Sequence, residues 1–241
     1  MNKAEVCEQI KNIGIIPAIR VSSAEEAHFA ADAVMQGGIP IVEITMTVPQ
    51  AVELISHLVR DHEQLIVGAG TVLDTETART CVAAGAHFLT APGFDLAIVE
   101  FAAKANIAVL PGALTPTEIV TAWKAGSAFV KVFPCALGGP TYIKAIKTAL
   151  PQISLIAAGG ITQQTAGNFI LAGATAIGVG TDLIPSQAIE KREATRIREL
   201  AHRFVGFVED ARRLLEPPKE PPKKAKTDFW KFHRHANPDK P

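Results

Sequence analysis

The sequence predicts a (β/α)8 barrel of the α/β class, and three observations carry the prediction. Eight short apolar, partly β-branched runs recur along the chain. Most are apolar almost throughout rather than alternating, as expected of parallel strands covered on both faces. Each is followed by a helix-like stretch, and the units repeat about every 20 to 26 residues. A length of 241 residues with 48% hydrophobic content suits one sizeable core, and α/β barrels often use this length as a single domain. A doubly wound sheet is the rival arrangement, because strand order is not written in a sequence.

In chain order, Met1 to Gly14 reads as a short polar helix without an apolar signal-peptide stretch. The first four predicted strands are Ile15–Arg20, Pro40–Thr45, Leu65–Ala69 and Ala86–Thr90. The other four are Ile107–Leu110, Ser127–Val132, Ile153–Ala157 and Thr175–Gly178. Ser23-x-x-Glu26 has capping-box form and opens the helix after the first strand. Thr115-Pro116-Thr117-Glu118 adds a proline at the first helical position, where its missing N–H costs nothing. Ala51, Val52, Leu54, Ile55, Leu58 and Val59 fall on one helical face, and Ile197, Leu200, Ala201, Phe204, Val205 and Val208 on another.

From Glu216 the chain turns into Glu-Pro-Pro-Lys-Glu-Pro-Pro-Lys-Lys, a composition that buries no core. The division expected is therefore a barrel over 1–215 and a disordered or extended tail over 216–241. Phe229, Trp230 and Phe232 give that tail some capacity to dock on a partner, but no catalytic role.

Composition excludes several classes of function. With 24 basic and 24 acidic residues, no global field gathers nucleic acid or coats a membrane. Aromatic residues are scarce, at 11 Phe, 2 Trp and 1 Tyr, which argues against base-stacking surfaces. Cys7, Cys81 and Cys135 are far apart and odd in number, so neither a disulfide framework nor a zinc site is expected. The histidines form no HExxH motif. No run approaches the roughly 18 apolar residues of a membrane span. A soluble cytoplasmic protein without metal is the expectation.

The chemistry collects where a barrel's strands end. Lys131 lies in Ala128-Phe129-Val130-Lys131-Val132-Phe133-Pro134, inside an apolar run. A lysine there must find a counter-ion or give up its proton, and desolvation disfavours the charged form, which favours a nucleophilic amine. Alone, it would more often be a snorkelling or ion-paired residue. Its company changes that reading. Arg20, Glu43, Thr71, Thr90-Ala91-Pro92-Gly93, Pro111-Gly112, Gly159-Gly160 and Gly180-Thr181 all fall at C-terminal strand ends and would share one mouth. Glu43 is a second ionisable group in an apolar run and suits proton shuttling opposite Lys131. The glycine turns after the last two strands let backbone N–H groups close around an anion, with helix dipoles adding to the attraction. Cys135 reads as an incidental small residue near the mouth.

These stretches together resemble the family of 2-keto-3-deoxy-6-phosphogluconate (KDPG) and 4-hydroxy-2-oxoglutarate aldolases. Val42-Glu43-Ile44-Thr45, Gly68-Ala69-Gly70-Thr71-Val72, Ala91-Pro92-Gly93, Pro111-Gly112, Lys131-Val132-Phe133-Pro134, Gly159-Gly160-Ile161 and Gly178-Val179-Gly180-Thr181 occur in family order. The resemblance covers about residues 5 to 213. It implies a cofactor-free class I enzyme, usually a homotrimer, acting on a small 2-oxo acid. By position it makes Lys131 the Schiff-base lysine and Glu43 the general acid/base. Thr71, Pro92 and Phe133 would line the pyruvoyl pocket, and Gly159, Gly160, Gly180 and Thr181 would hold phosphate. Two departures stand out. Thr47 occupies the position where many members place an arginine for the substrate carboxylate, which leaves Arg20 as a substitute cation or a rim ion pair. Ala158 replaces the usual threonine before the glycine pair. The expected reaction is cleavage of KDPG to pyruvate and glyceraldehyde 3-phosphate. 4-Hydroxy-2-oxoglutarate cleavage, a different phosphate-binding isomerase or epimerase, and a non-catalytic assembly scaffold are the alternatives.

Overall fold

Nine parallel strands form one sheet in the computed structural model, which describes residues 1–216. Helix α1 (Lys3–Ile13) precedes β1 (Ile15–Ile19), α2 (Ala24–Gln36), β2 (Ile41–Thr45), α3 (Ala51–Asp61) and β3 (Ile66–Gly70). Next come α4 (Thr75–Ala83), β4 (Phe88–Thr90), α5 (Leu96–Lys104), β5 (Ala108–Leu110), β6 (Gly112–Ala113) and α6 (Pro116–Lys124). The last third holds β7 (Val130–Val132), a 3-10 turn (Cys135–Leu137), α7 (Gly139–Ala149), β8 (Leu155–Ala158), α8 (Ala166–Leu171) and β9 (Ala176–Val179). Helices α9 (Ser186–Glu190) and α10 (Ala194–Leu215) follow. Residues 217–241 of the expected tail lie outside the described residues.

Strand order is β5-β4-β3-β2-β1-β9-β8-β7-β6, so sequence neighbours are spatial neighbours and the first strand pairs with the last. A doubly wound sheet would reverse direction at an internal switch point; this one does not. The two apparent edges, β5 and β6, are separated only by Pro111, which has no N–H to give a ladder. The segment still bonds on both sides. Gly112 N donates to Gly93 O at 3.0 Å, and Lys131 N donates to Pro111 O at 2.9 Å. The fifth predicted strand is thus longer than the sequence suggested and closes the barrel.

The apolar stripes read from sequence face inward. Leu54, Ile55 and Leu58 of α3, and Ile197, Leu200, Ala201, Phe204 and Val208 of α10, are buried. Val52, Val59 and Val205 lie at the margin, packed against the same core. Helix starts follow their caps. Thr115 and Glu118 form the expected capping box with Pro116 in the first turn. At α2 the box is incomplete: Ser23 accepts from Glu26 N, but the Glu26 carboxylate bonds Ser22 N and Ser22 Oγ one residue earlier. Helix α1 has a full box between Asn2 and Glu5 and ends at Gly14, whose φ of 75° is left-handed. Arg212 of α10 donates to the carbonyls of Lys11 and Asn12, placing a cation on the negative end of α1. No described helix is long and apolar enough to cross a membrane.

Candidate active site

A cavity of about 180 Å³ opens where the strands end. Arg20, Glu43, Lys131, Phe133, Gly159, Gly160, Gly180 and Thr181 line it. So do Ala18, Ala158 and Gly178. Eight of the ten residues singled out from sequence are therefore gathered. Thr71 and Pro92 are not on the cavity wall.

The period of two along a strand sends Lys131 to the face opposite its buried neighbours Val130 and Val132. Its side chain is 12% exposed and that of Glu43 only 5%. Lys131 Nζ lies 3.4 Å from Glu43 Oε1, 3.5 Å from Oε2 and 3.2 Å from Thr90 Oγ1. These separations exceed the roughly 2.7–2.9 Å of a tight charge-assisted bond. The amine is held among three acceptors without being locked to one. The Phe133 ring lies 5.8 Å from Nζ and covers its apolar side. A buried ion pair contributes little net stability once desolvation is counted, so structural need does not account for this one.

Gly70 makes the arrangement fit. A Cβ on it would lie 2.1 Å from Glu43 Oε1 and 2.5 Å from Cδ, because the carboxylate rests on this bare stretch of β3. Gly70→Ala is expected to fold but to push Glu43 away from Lys131. Displacing a group that passes protons by about 1 Å costs on the order of 10²-fold in rate, so kcat should fall by about that much, and the unfolding temperature should fall as well because the displaced carboxylate loses its buried partner. Steady-state turnover at the wild-type level would show that the carboxylate has no such constraint.

Thr71 and Pro92 lie just past the ends of β3 and β4. Thr71 directly follows Gly70 and has a φ of 60°, in the left-handed region that residues branched at Cβ avoid. Pro92 carries the backbone against which Gly112 packs, where a Cβ would meet the carbonyl carbon and oxygen of Pro92 at 2.1 Å. Thr90 is the residue that sequence reasoning passed over as one of a cluster. Its position as the last inward-facing polar group of β4 was the available signal.

Gly159 and Gly160 have φ of 84° and 83°, and side chains there would strike Phe133 and Ala136. Among the described residues, the N–H groups of Gly160, Ile161, Thr181 and Asp182 donate to no protein acceptor. Asp182 Oδ2 accepts from Gln163 N at 2.8 Å and ties the two glycine turns together. Contrary to expectation, no helix starts directly at either turn: α8 begins only at Ala166 and α9 at Ser186. Anion binding here would rest on loop N–H groups rather than on a helix dipole.

Thr47 Oγ1 lies 2.7 Å from Thr45 Oγ1, and Thr45 Oγ1 donates to Ile19 O at 3.0 Å. These hydroxyls form a short network beside the mouth. None of the ion pairs among the described residues involves Arg20, which leaves its guanidinium available at the rim. Cys135 is buried and donates to Val132 O at 3.1 Å. Burial pushes its thiol up to about 11, so it is not a nucleophile near neutral pH.

Comparison with known proteins agrees with this geometry. A 2-dehydro-3-deoxy-6-phosphogalactonate aldolase of Escherichia coli is 33% identical over 180 residues, which is 73% of this chain and 88% of the relative. A KHG/KDPG aldolase of Escherichia coli is 31% identical, covering 79% of this chain and 90% of the relative. A solved KDPG aldolase of Legionella pneumophila, with pyruvate captured as a covalent carbinolamine, superposes with a TM-score of 0.76 at 29% identity. That match covers 81% of this chain and 96% of that one. The family model described as KDPG and KHG aldolase matches residues 6–200, and the chain is a member of that aldolase family.

Proposed function

We propose that the chain cleaves KDPG to pyruvate and glyceraldehyde 3-phosphate through a Schiff base on Lys131. The observation that carries this reading is the Lys131 amine, in reach of both Glu43 and Thr90 on the inner side of the cavity. The free amine adds to the C2 carbonyl to give a carbinolamine. A proton delivered through Glu43 lets the hydroxyl leave as water, and an iminium forms. Glu43 then takes the proton of the C4 hydroxyl. The C3–C4 bond breaks, its electron pair moves into the iminium to form an enamine, and the aldehyde departs. C3 is reprotonated, and water returns to C2 to release pyruvate and the free amine. One water leaves and one is added, so the reaction consumes none.

Phe133 packs beside the imine, and Thr90 is placed to hold the carbinolamine oxygen. Arg20 supplies the cation for the substrate carboxylate in place of the residue at Thr47. Thr71 and Pro92, just past the ends of β3 and β4, line the pyruvoyl side with Phe133. The N–H groups of the glycine turns, together with Thr181, receive the phosphate.

Borohydride tests the covalent step directly. Incubation with pyruvate and sodium borohydride should reduce the imine to a stable secondary amine, seen by intact mass and mapped to the Lys131 peptide. Folded protein that gains no adduct would sink the Schiff-base reading and return the isomerase and scaffold alternatives. A second substrate reading has its own support: the Escherichia coli relative at 33% identity acts on the galactonate compound. Parallel assays with the gluconate and galactonate substrates, and with 4-hydroxy-2-oxoglutarate, rank the three by kcat/KM. The family resemblance also points to a homotrimer as the working form, and sedimentation at micromolar concentration should give three times the chain mass.

A further inference from the structure

Away from the mouth, the geometry points to a second site: His28, Asp32 and His62 bind a divalent transition-metal ion of the Zn²⁺ type that ties α2 to α3. His28 and Asp32 are one turn apart on α2, with His28 Nδ1 3.2 Å from Asp32 Oδ2. His62 is the residue that ends α3, and its Nε2 lies 3.0 Å from Asp32 Oδ1. All three donor atoms fall within 4.8 Å of one another.

Two ligands at ~2.0–2.2 Å on a tetrahedral ion stand about 3.3 Å apart, so two of the separations already approach what an ion needs. The second observation concerns the Asp32–His62 contact. Asp32 Oδ1 and His62 Nε2 are shielded from solvent and stand at an ion-pair distance of 3.0 Å, yet they are off the alignment a hydrogen bond needs. A buried polar atom normally has a partner. Here a carboxylate oxygen and an imidazole nitrogen face each other without a proton aligned between them, and a cation placed between the two lone pairs satisfies both.

The donor set selects the ion. Two imidazoles and one carboxylate suit Zn²⁺ and its neighbours better than Mg²⁺ or Ca²⁺, which prefer oxygen alone. Of the charged residues flanking His62 in the chain, Glu63 is acidic, and Arg60 and Asp61 form an ion pair with each other at 2.8 Å. The Asp32 charge is therefore not opposed by a free cation in that loop. None of the three ligands lines the barrel mouth, so the ion would serve the structure by clamping the helices on either side of β2, the strand that carries Glu43. Such an ion would bind whether or not Lys131 forms a Schiff base.

The test is calorimetric titration of the full chain with Zn²⁺ after chelator treatment, with thermal unfolding measured in parallel. His233 and His235 are two apart near the C-terminus and could bind metal themselves, so the reference protein is His233→Gln/His235→Gln. That reference should bind one equivalent saturably at micromolar concentration and unfold at a higher temperature with Zn²⁺ than without. Adding His62→Gln, or separately His28→Gln, should weaken binding at least about 10-fold and remove the thermal shift. Both histidines are half-buried, and circular dichroism checks that each variant folds. Absence of saturable binding in the reference, or unchanged affinity in both variants, would overturn the site.

Discussion

Lys131→Ala is expected to abolish aldol cleavage, with a loss on the order of 10⁵- to 10⁶-fold, the scale seen when a covalent nucleophile is removed from an enzyme. Charge alone does not account for such a loss. Lys131→Arg keeps a cation beside Glu43, but the guanidinium stays protonated and forms no imine. It should be as inactive as the alanine variant. If arginine instead restored substantial turnover, Lys131 would be acting as an electrostatic group and the covalent path would fall. Stability gives a second reading. Removing one partner of a buried pair leaves the other uncompensated and costs about 3–5 kcal/mol, and Glu43 is the partner left behind, with 5% of its side chain exposed. Lys131→Met/Glu43→Gln should therefore unfold at a higher temperature than Lys131→Met alone while remaining inactive. Denaturation midpoints and turnover for the wild type, Lys131→Met, Glu43→Gln and the double variant separate what the pair does for the fold from what it does for the reaction.

Much of this site was legible in the sequence because barrel topology converts strand ends into neighbours. Glu43 and Lys131 are 88 residues apart, yet each sits in an apolar run at the same height of its strand. Two charges placed where a strand should be apolar are conspicuous. The strands themselves were readable because parallel strands buried on both faces leave continuous apolar runs, and the turns after them are marked by Gly, Thr and Pro. What was not legible depended on distances across the barrel. Gly70 reads as an ordinary strand-end glycine until the Glu43 carboxylate is found lying on it. Thr90 looks like any β-branched strand residue until its hydroxyl meets Nζ. The continuation of the fifth strand through Pro111 was hidden because proline normally ends a ladder. The glycine turns suggested helix N-termini, whereas a turn through Thr162 and Thr165 precedes α8. The His28 and Asp32 spacing carries no signal of its own, since its third member arrives from the end of another helix 30 residues on.

Glu43→Gln separates the acid/base role from everything else the residue does. Glutamine keeps the shape and fits over Gly70 as the carboxylate does, so the cavity should persist. Its amide oxygen still accepts from Lys131, but it carries no charge and takes no proton at neutral pH. A positioned acid or base contributes about 10²- to 10⁴-fold, and kcat should fall within that range. The fall should be divided between steps. Carbinolamine dehydration and C3–C4 cleavage both pass a proton through Glu43 in this mechanism, whereas the initial addition of the amine to C2 does not. Prolonged incubation with pyruvate and borohydride should therefore still label Lys131 in Glu43→Gln, at a reduced rate. Gly70→Ala should resemble it, because there the carboxylate is present but misplaced. Combining Gly70→Ala with Glu43→Gln should add little to either alone, since both remove one interaction and neighbouring sites are not additive. Wild-type turnover in Glu43→Gln would take the residue out of the proton path, and Thr90 or bound water would then have to carry the proton.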